Sequence, residues 1–326
     1  DLSSLECIDD FTIVGNDLTL DSHHALLISL TCRDGLVVFR STDADDFCAT
    51  GETVVNDVYI SPIDSEPVDL SCITGIEGQV EVEFAKTTAI DISNAMYIGS
   101  FLNIHDNYDT ESIDFSSLET IGGNFNLNNN RDLSVISIDG LLSIDGQFYL
   151  GSNNNMDELA APALVTIEGN LQFSSNNGIE DVRFDSLSTI EGQLRFEYNN
   201  GINSVSMPLL TELNGRLYMY ANNALETIDM GSLPEVGSDL DIRENRALET
   251  VVFTALESVN GSFQLQYAHQ MNTLELPELL EVNGSFNLSY NDQLEWFAAP
   301  LFYDLSGSLT IRDNSDLSVV DLSSLE

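Results

Sequence analysis

The chain has 326 residues, with 54 Asp and Glu against 10 Lys and Arg, for a formal net charge of −44. Such a surface repels phosphate backbones and anionic headgroups, which excludes nucleic acid and acidic membranes as partners. Apolar residues make up 43% of the chain, enough for a packed core, but no run of them is long enough to cross a bilayer, so no membrane insertion is expected.

The chain opens at Asp1 without Met or a secretory leader, which reads as a processed product or a fragment. Three apolar alternations, Leu18/Leu20, Val37/Phe39 and Val58/Ile60, predict short strands. All four cysteines fall in this part, and Cys7–Cys32 and Cys48–Cys72 are each separated by close to the repeat length that governs the rest of the chain. Stacked coils lie about 4.8 Å apart, a spacing that a disulfide can bridge. Of three connectivities, the expected one is Cys7–Cys32 with Cys48–Cys72. No C-x-x-C occurs, which argues against zinc and thiol redox chemistry. Residues 1–77 therefore read as a disulfide-stapled cap with irregular coils, formed in an oxidising compartment.

From residue 78 the chain is a regular solenoid to residue 326, one continuous domain with the cap. Gly78, Val80 and Val82 enter the frame one residue out of step, and Leu102, Ile104 and Asn107 fit it. A glycine column with a 23-residue period follows: Gly123, Gly146, Gly169, Gly192, Gly215, Gly261, Gly284 and Gly307, with Ser238 in the gap. Fixed periodicity without insertion marks stacked coils. After each glycine, alternation such as Phe125/Leu127 gives a strand with one buried face. Glycine is expected where a side chain would strike the adjacent coil. A column of asparagines, Asn107, Asn130, Asn153, Asn176, Asn199, Asn222, Asn245, Asn291 and Asn314, is interrupted at Ala268. Buried amides at one position of successive coils predict an asparagine ladder that satisfies backbone groups cut off from water. Counting strands gives about 14 coils.

The coil Leu118-x-x-Ile121-x-Gly123-x-Phe125-x-Leu127-x-x-Asn130-x-x-Leu133-x-x-Ile136 resembles the leucine-rich-repeat-like receptor L-domain. It is also similar to the fungal GPI-anchored cell-wall proteins of that class, over roughly residues 70–325. The resemblance implies an all-β, right-handed parallel β-helix, extracellular, with cystine-stabilised ends and a non-catalytic role in wall organisation, adhesion or ligand binding. No C-terminal Cys module, Ser/Thr-rich stalk or GPI signal accompanies it, so wall anchoring is not expected. Three sequons, at Asn260, Asn283 and Asn287, join the cysteines in pointing to secretion and N-glycosylation.

The outward positions of the main strand are rich in amides and tyrosine, and they hold a basic cluster, Arg195, Arg216, Tyr218, Tyr220 and Arg243. Tyrosines and planar amides suit sugar rings and protein surfaces alike, so this cluster is the candidate ligand-binding site. The plainer alternative is that the arginines pair with neighbouring acids. Asp239 and Asp241, about 6.8 Å apart on one strand face, match the separation of an inverting carboxylate pair, with Glu197 two coils away. A frame without insertions leaves no room for the loops of a catalytic cleft, however, and no enzyme activity or cofactor is expected. His23, His24, His105 and His269 show no ligand spacing, so no metal site is expected, only non-specific collection of divalent cations.

The hexapeptide Asp-Leu-Ser-Ser-Leu-Glu stands at both 1–6 and 321–326. This suggests a fragment of a longer array or a subunit that stacks head to tail on copies of itself. The expectation is a secreted structural or adhesive rod at a cell surface or in a matrix. Its partners would be itself or other extracellular proteins and glycans. The alternative is a glycan- or peptide-binding receptor module that uses the strand face.

Overall fold

A computed structural model of the chain describes residues 36–39, 53–60 and 67–325. The protein is an all-β parallel solenoid, and no helix occurs among the described residues. Each regular coil carries three short strands, as in the four-residue strand Leu217–Tyr220, the three-residue Thr227–Asp229 and the two-residue Glu235–Val236. The four-residue strands stack in chain order into one parallel sheet of 13 strands, Leu36–Phe39 to Leu309–Arg312.

Regularity sets in gradually. Val58 pairs with Val80 and Val80 with Leu102, 22 residues apart, whereas Leu102 pairs with Phe125 and every later step is 23. Eleven of these strands, from Val80–Glu83 onward, each lead into a non-glycine residue of positive φ, from Phe84 to Asp313. The regular stack thus has eleven turns rather than the 14 counted in the sequence. The difference lies at the N-terminal end, where each apolar alternation was counted as a full coil. Leu18/Leu20 lies outside the described residues.

The core is a set of columns. In each strand alternate residues point inward, and phenylalanines stack on one another in the interior over part of the solenoid. Phe125 lies on Phe148 at 4.7 Å between ring centroids, Phe173 on Phe196 at 4.6 Å, and Phe263 on Phe286 at 4.5 Å. Between the first two pairs the phenylalanine moves from the first inward position to the second, and Phe148 meets Phe173 edge-on at 6.1 Å. The swap keeps one phenylalanine and one leucine at the two inward positions of each of these strands, which suits a close-packed interior.

The glycine column exists because coils touch backbone to backbone at this corner. A Cβ on Gly169 would lie 2.6 Å from the Gly146 carbonyl carbon, and one on Gly215 would lie 2.4 Å from the Gly192 oxygen. Ser238 escapes because the contact moves one residue back, where a Cβ on Gly237 would lie 2.3 Å from the Asn214 oxygen. Pro234 marks another corner. Thr211, one coil earlier, donates its N–H to the Ser188 carbonyl at 3.0 Å. Proline has no N–H to repeat that bond, and the eight-stranded sheet of two-residue strands ends at Glu212–Leu213.

The asparagine column is buried from Asn107 to Asn291 and half-buried at Asn314. Asn199 is typical. Its Nδ2 donates to the Phe173 carbonyl at 3.0 Å, and its Oδ1 accepts the Asn176 backbone N–H at 2.9 Å. At the gap, Ala268 donates its N–H to Asn291 at 3.0 Å but returns nothing to Asn245. Cys72 packs against the core and is disulfide-bonded. Cys7, Cys32 and Cys48, and with them the pairings Cys7–Cys32 and Cys48–Cys72, lie outside the described residues. In the last coil Leu309 and Val320 are exposed although their register partners Phe286 and Phe297 are buried, because no further coil covers them among the described residues.

Candidate functional site on the outer face of the main sheet

The outer face is built by residues that alternate with the core. In register, Arg195, Tyr218 and Asp241 form one column and Glu197, Tyr220 and Arg243 the next. Arg216, two residues before Tyr218, joins them from just before the strand Leu217–Tyr220. The five residues of the sequence-predicted cluster are therefore brought together, and Asp241 and Glu197 hold them.

Asp241 points outward yet is completely buried. Arg216 and Arg243 cover it: Arg216 donates from Nη2 to Oδ2, and Arg243 donates from Nε to Oδ1 at 2.5 Å and from Nη2 to Oδ2 at 2.9 Å. Arg195 donates to Glu197 at 2.5 Å. That bond holds the Arg195 guanidinium more firmly protonated than usual, as the Asp241 bond does for Arg243. The arginines are therefore paired with neighbouring acids, which was the plainer reading of the cluster.

What the pairs support is aromatic. The Arg216 guanidinium lies over the Tyr218 ring at 4.4 Å and that of Arg195 at 5.1 Å, while Arg243 lies 5.9 Å from Tyr220. The Tyr218 and Tyr220 rings run nearly parallel at 6.0 Å and 18°. Tyr198 meets Tyr220 edge-on at 5.5 Å and 90°, with 49% of its surface exposed. Burial, followed by the charge of Asp241, raises the Tyr218 hydroxyl above its ordinary pKa; burial and Glu197 do the same for Tyr149. Both phenols stay protonated at neutral pH and keep their O–H donors.

Tyr198 was missed in the sequence because it sits at the turn, at φ 57°, where side chains were not counted as part of the face. Tyr267 and Tyr290 share that position in later coils and stack at 4.8 Å. The second missed group is Glu81, Glu83 and His105, whose ligand atoms all lie within 4.8 Å of one another at the N-terminal end of the same face. Their proximity comes from stacking across a 22-residue coil, which spacing along one segment cannot show.

The carboxylate pair is engaged structurally. Asp241 is clamped, and Asp239 accepts the Ser262 backbone N–H at 2.8 Å. Asn260 and Asn283 are exposed on the corner before the strand and Asn283 donates to Asn260 at 3.3 Å, whereas Asn287 is half-buried on the sheet face. No helix among the described residues is long and apolar enough to cross a membrane.

No family model and no curated protein matches the chain. Among solved structures it is similar to a leucine-rich repeat protein from Bacteroides ovatus, at 16% identity and a TM-score of 0.27, over 78% of this chain and 85% of that one. The fold assignment rests on the strand register and the repeat columns themselves.

Proposed function

We propose that the chain is a non-catalytic extracellular repeat scaffold of structural or adhesive type, and that it makes contact through the outer face of its main sheet. The partner is a glycan or peptide surface, met by Tyr198, Tyr218 and Tyr220. One observation carries this reading: Tyr218 and Tyr220 are fixed by arginines that are themselves bound by Glu197 and Asp241, and Tyr198 meets Tyr220 edge-on. A rigid aromatic platform loses little side-chain entropy on binding. Its bound acids make the patch less hostile to polar neutral ligands than the rest of a −44 chain. Secretion is supported by the sequons, the disulfide at Cys72 and the acidic surface.

The test is a glycan array run beside a displayed peptide library, with wild type and two double variants. Arg216→Ala with Tyr218→Ala, and Tyr198→Ala with Tyr220→Ala, should each weaken captured ligands about tenfold or more, as hot-spot aromatics do. Far-UV circular dichroism should be unchanged. Ligands retained equally by both variants would place binding elsewhere and sink the assignment of the face.

A further inference from the structure

Glu81, Glu83 and His105 lie about five coils from the tyrosine cluster, and the proposed function leaves them without a role. Glu81 and Glu83 are the outward residues of strand Val80–Glu83, and His105 ends the next strand, in register with Glu83. His105 Nε2 is 2.7 Å from Glu81 Oε1 and 4.0 Å from Glu83 Oε2. The three side chains keep only 24, 15 and 23% of their surface.

Each of the three is oriented by a further residue. Asp106 Oδ2 lies 2.9 Å from His105 Nδ1, which directs the other ring nitrogen at the two glutamates. Asp106 is itself held by Asn129 of the next coil. Asn103 donates to Glu81 at 2.8 Å, and the Tyr59 hydroxyl donates to Oε1 of Glu83, leaving Oε2 turned towards the imidazole. A carboxylate on the far nitrogen of a histidine, with bonded carboxylates beside it, is the outer shell that orients ligands around a metal ion. Ligands bound at about 2.1 Å in a tetrahedron stand about 3.4 Å apart, between the two separations seen here.

We infer that Glu81, Glu83 and His105 form a binding site for a divalent transition metal of the zinc type. The imidazole selects against calcium, which takes six to eight oxygen ligands. Two carboxylates balance the charge of the ion, which relieves the repulsion among Glu81, Glu83 and Asp106. Three protein ligands on an outer face leave a coordination position for water or for a side chain of a bound partner. Histidine and carboxylates on adjacent rigid strands are preorganised, so binding requires little movement.

Isothermal titration with zinc chloride at high salt, which screens the general acidity of the chain, tests this. Wild type should bind one ion saturably. Asp106→Asn, which leaves all three ligands, should weaken it about 10- to 100-fold, and His105→Ala by more. By NMR, zinc should shift the His105 imidazole resonances and leave those of His269 in place. Unchanged affinity in His105→Ala, an unshifted His105 imidazole at saturating zinc, or displacement of zinc by equimolar calcium would overturn the site. Asp106→Asn and the imidazole shift decide the matter if His105→Ala does not fold.

Discussion

Two asparagine columns run side by side through the middle coils, and they differ in everything except residue type. Asn153, Asn176, Asn199 and Asn222 are buried, while their immediate neighbours Asn154, Asn177, Asn200 and Asn223 are exposed. In the inner column each Oδ1 accepts the backbone N–H of the coil before, as Asn199 does from Asn176 at 2.9 Å. In the outer column the polarity reverses, and Asn154 accepts the N–H of Asn177, in the coil after, at 3.2 Å. The inner amides are the only partners that those backbone groups can find, whereas water can replace the outer ones. Repetition of a residue shows that a position is constrained, and burial decides what the constraint is worth.

The sharpest way to break this comparison is to delete one asparagine from each column. Asn199→Ala removes the acceptor of the Asn176 N–H and a donor to the Phe173 carbonyl, leaving polar groups buried without partners. The expected loss is about 3 kcal/mol at roughly 1–3 kcal/mol per orphaned group. Asn200→Ala, one residue along, should cost less than about 0.5 kcal/mol. Urea midpoints of the two variants check this, and equal losses would show that the inner ladder has no special energetic role.

A smaller effect is expected where the chain itself has broken the ladder. Ala268 leaves the Asn245 N–H without the side-chain acceptor that every neighbouring ladder asparagine has. Ala268→Asn should complete the column from Asn107 to Asn314 and stabilise the protein by about 1 kcal/mol. A fall in the thermal midpoint would mean that the interior around buried Ala268 is packed too closely to admit the amide.

The ladder and the glycine corner were legible in the sequence because they recur in one frame, so period and residue type together name the contact. The Arg195–Arg243 cluster was legible as a location, and its pairing with acids as an alternative, but which acid each arginine takes was not. That Asp241, an outward residue, is wholly buried depends on which way Arg216 and Arg243 turn, and no pattern encodes it. The group of Glu81, Glu83 and His105 was hidden for a different reason. Its members meet only across stacked coils, 22 residues apart, where ligand spacing along one segment does not show them. Tyr198 was hidden because the residue before each ladder asparagine lies past the strand's alternating positions, at a turn.

That turn position gives the finest test. Residues there share a φ of 51–60° yet include Phe, Asp, Asn, Ser, Tyr, Ala and Glu. The left-handed region costs a non-glycine residue roughly 1–2 kcal/mol, so the position is imposed by the ladder rather than chosen by its occupant. The Asn222 N–H, just past the turn that follows Tyr220, donates to Asn245 at 3.0 Å. Ala221, at φ 55°, offers the cleanest case because its side chain is too small to contribute to the outer face. Ala221→Gly relieves the strain but raises the entropy of the unfolded chain by roughly 0.5–1 kcal/mol. The net expectation is a gain of about 0.5 kcal/mol, read from the denaturation midpoint. A loss of that size would mean that the turn is held without strain, and that the freedom of residue type at this position has a source other than the ladder.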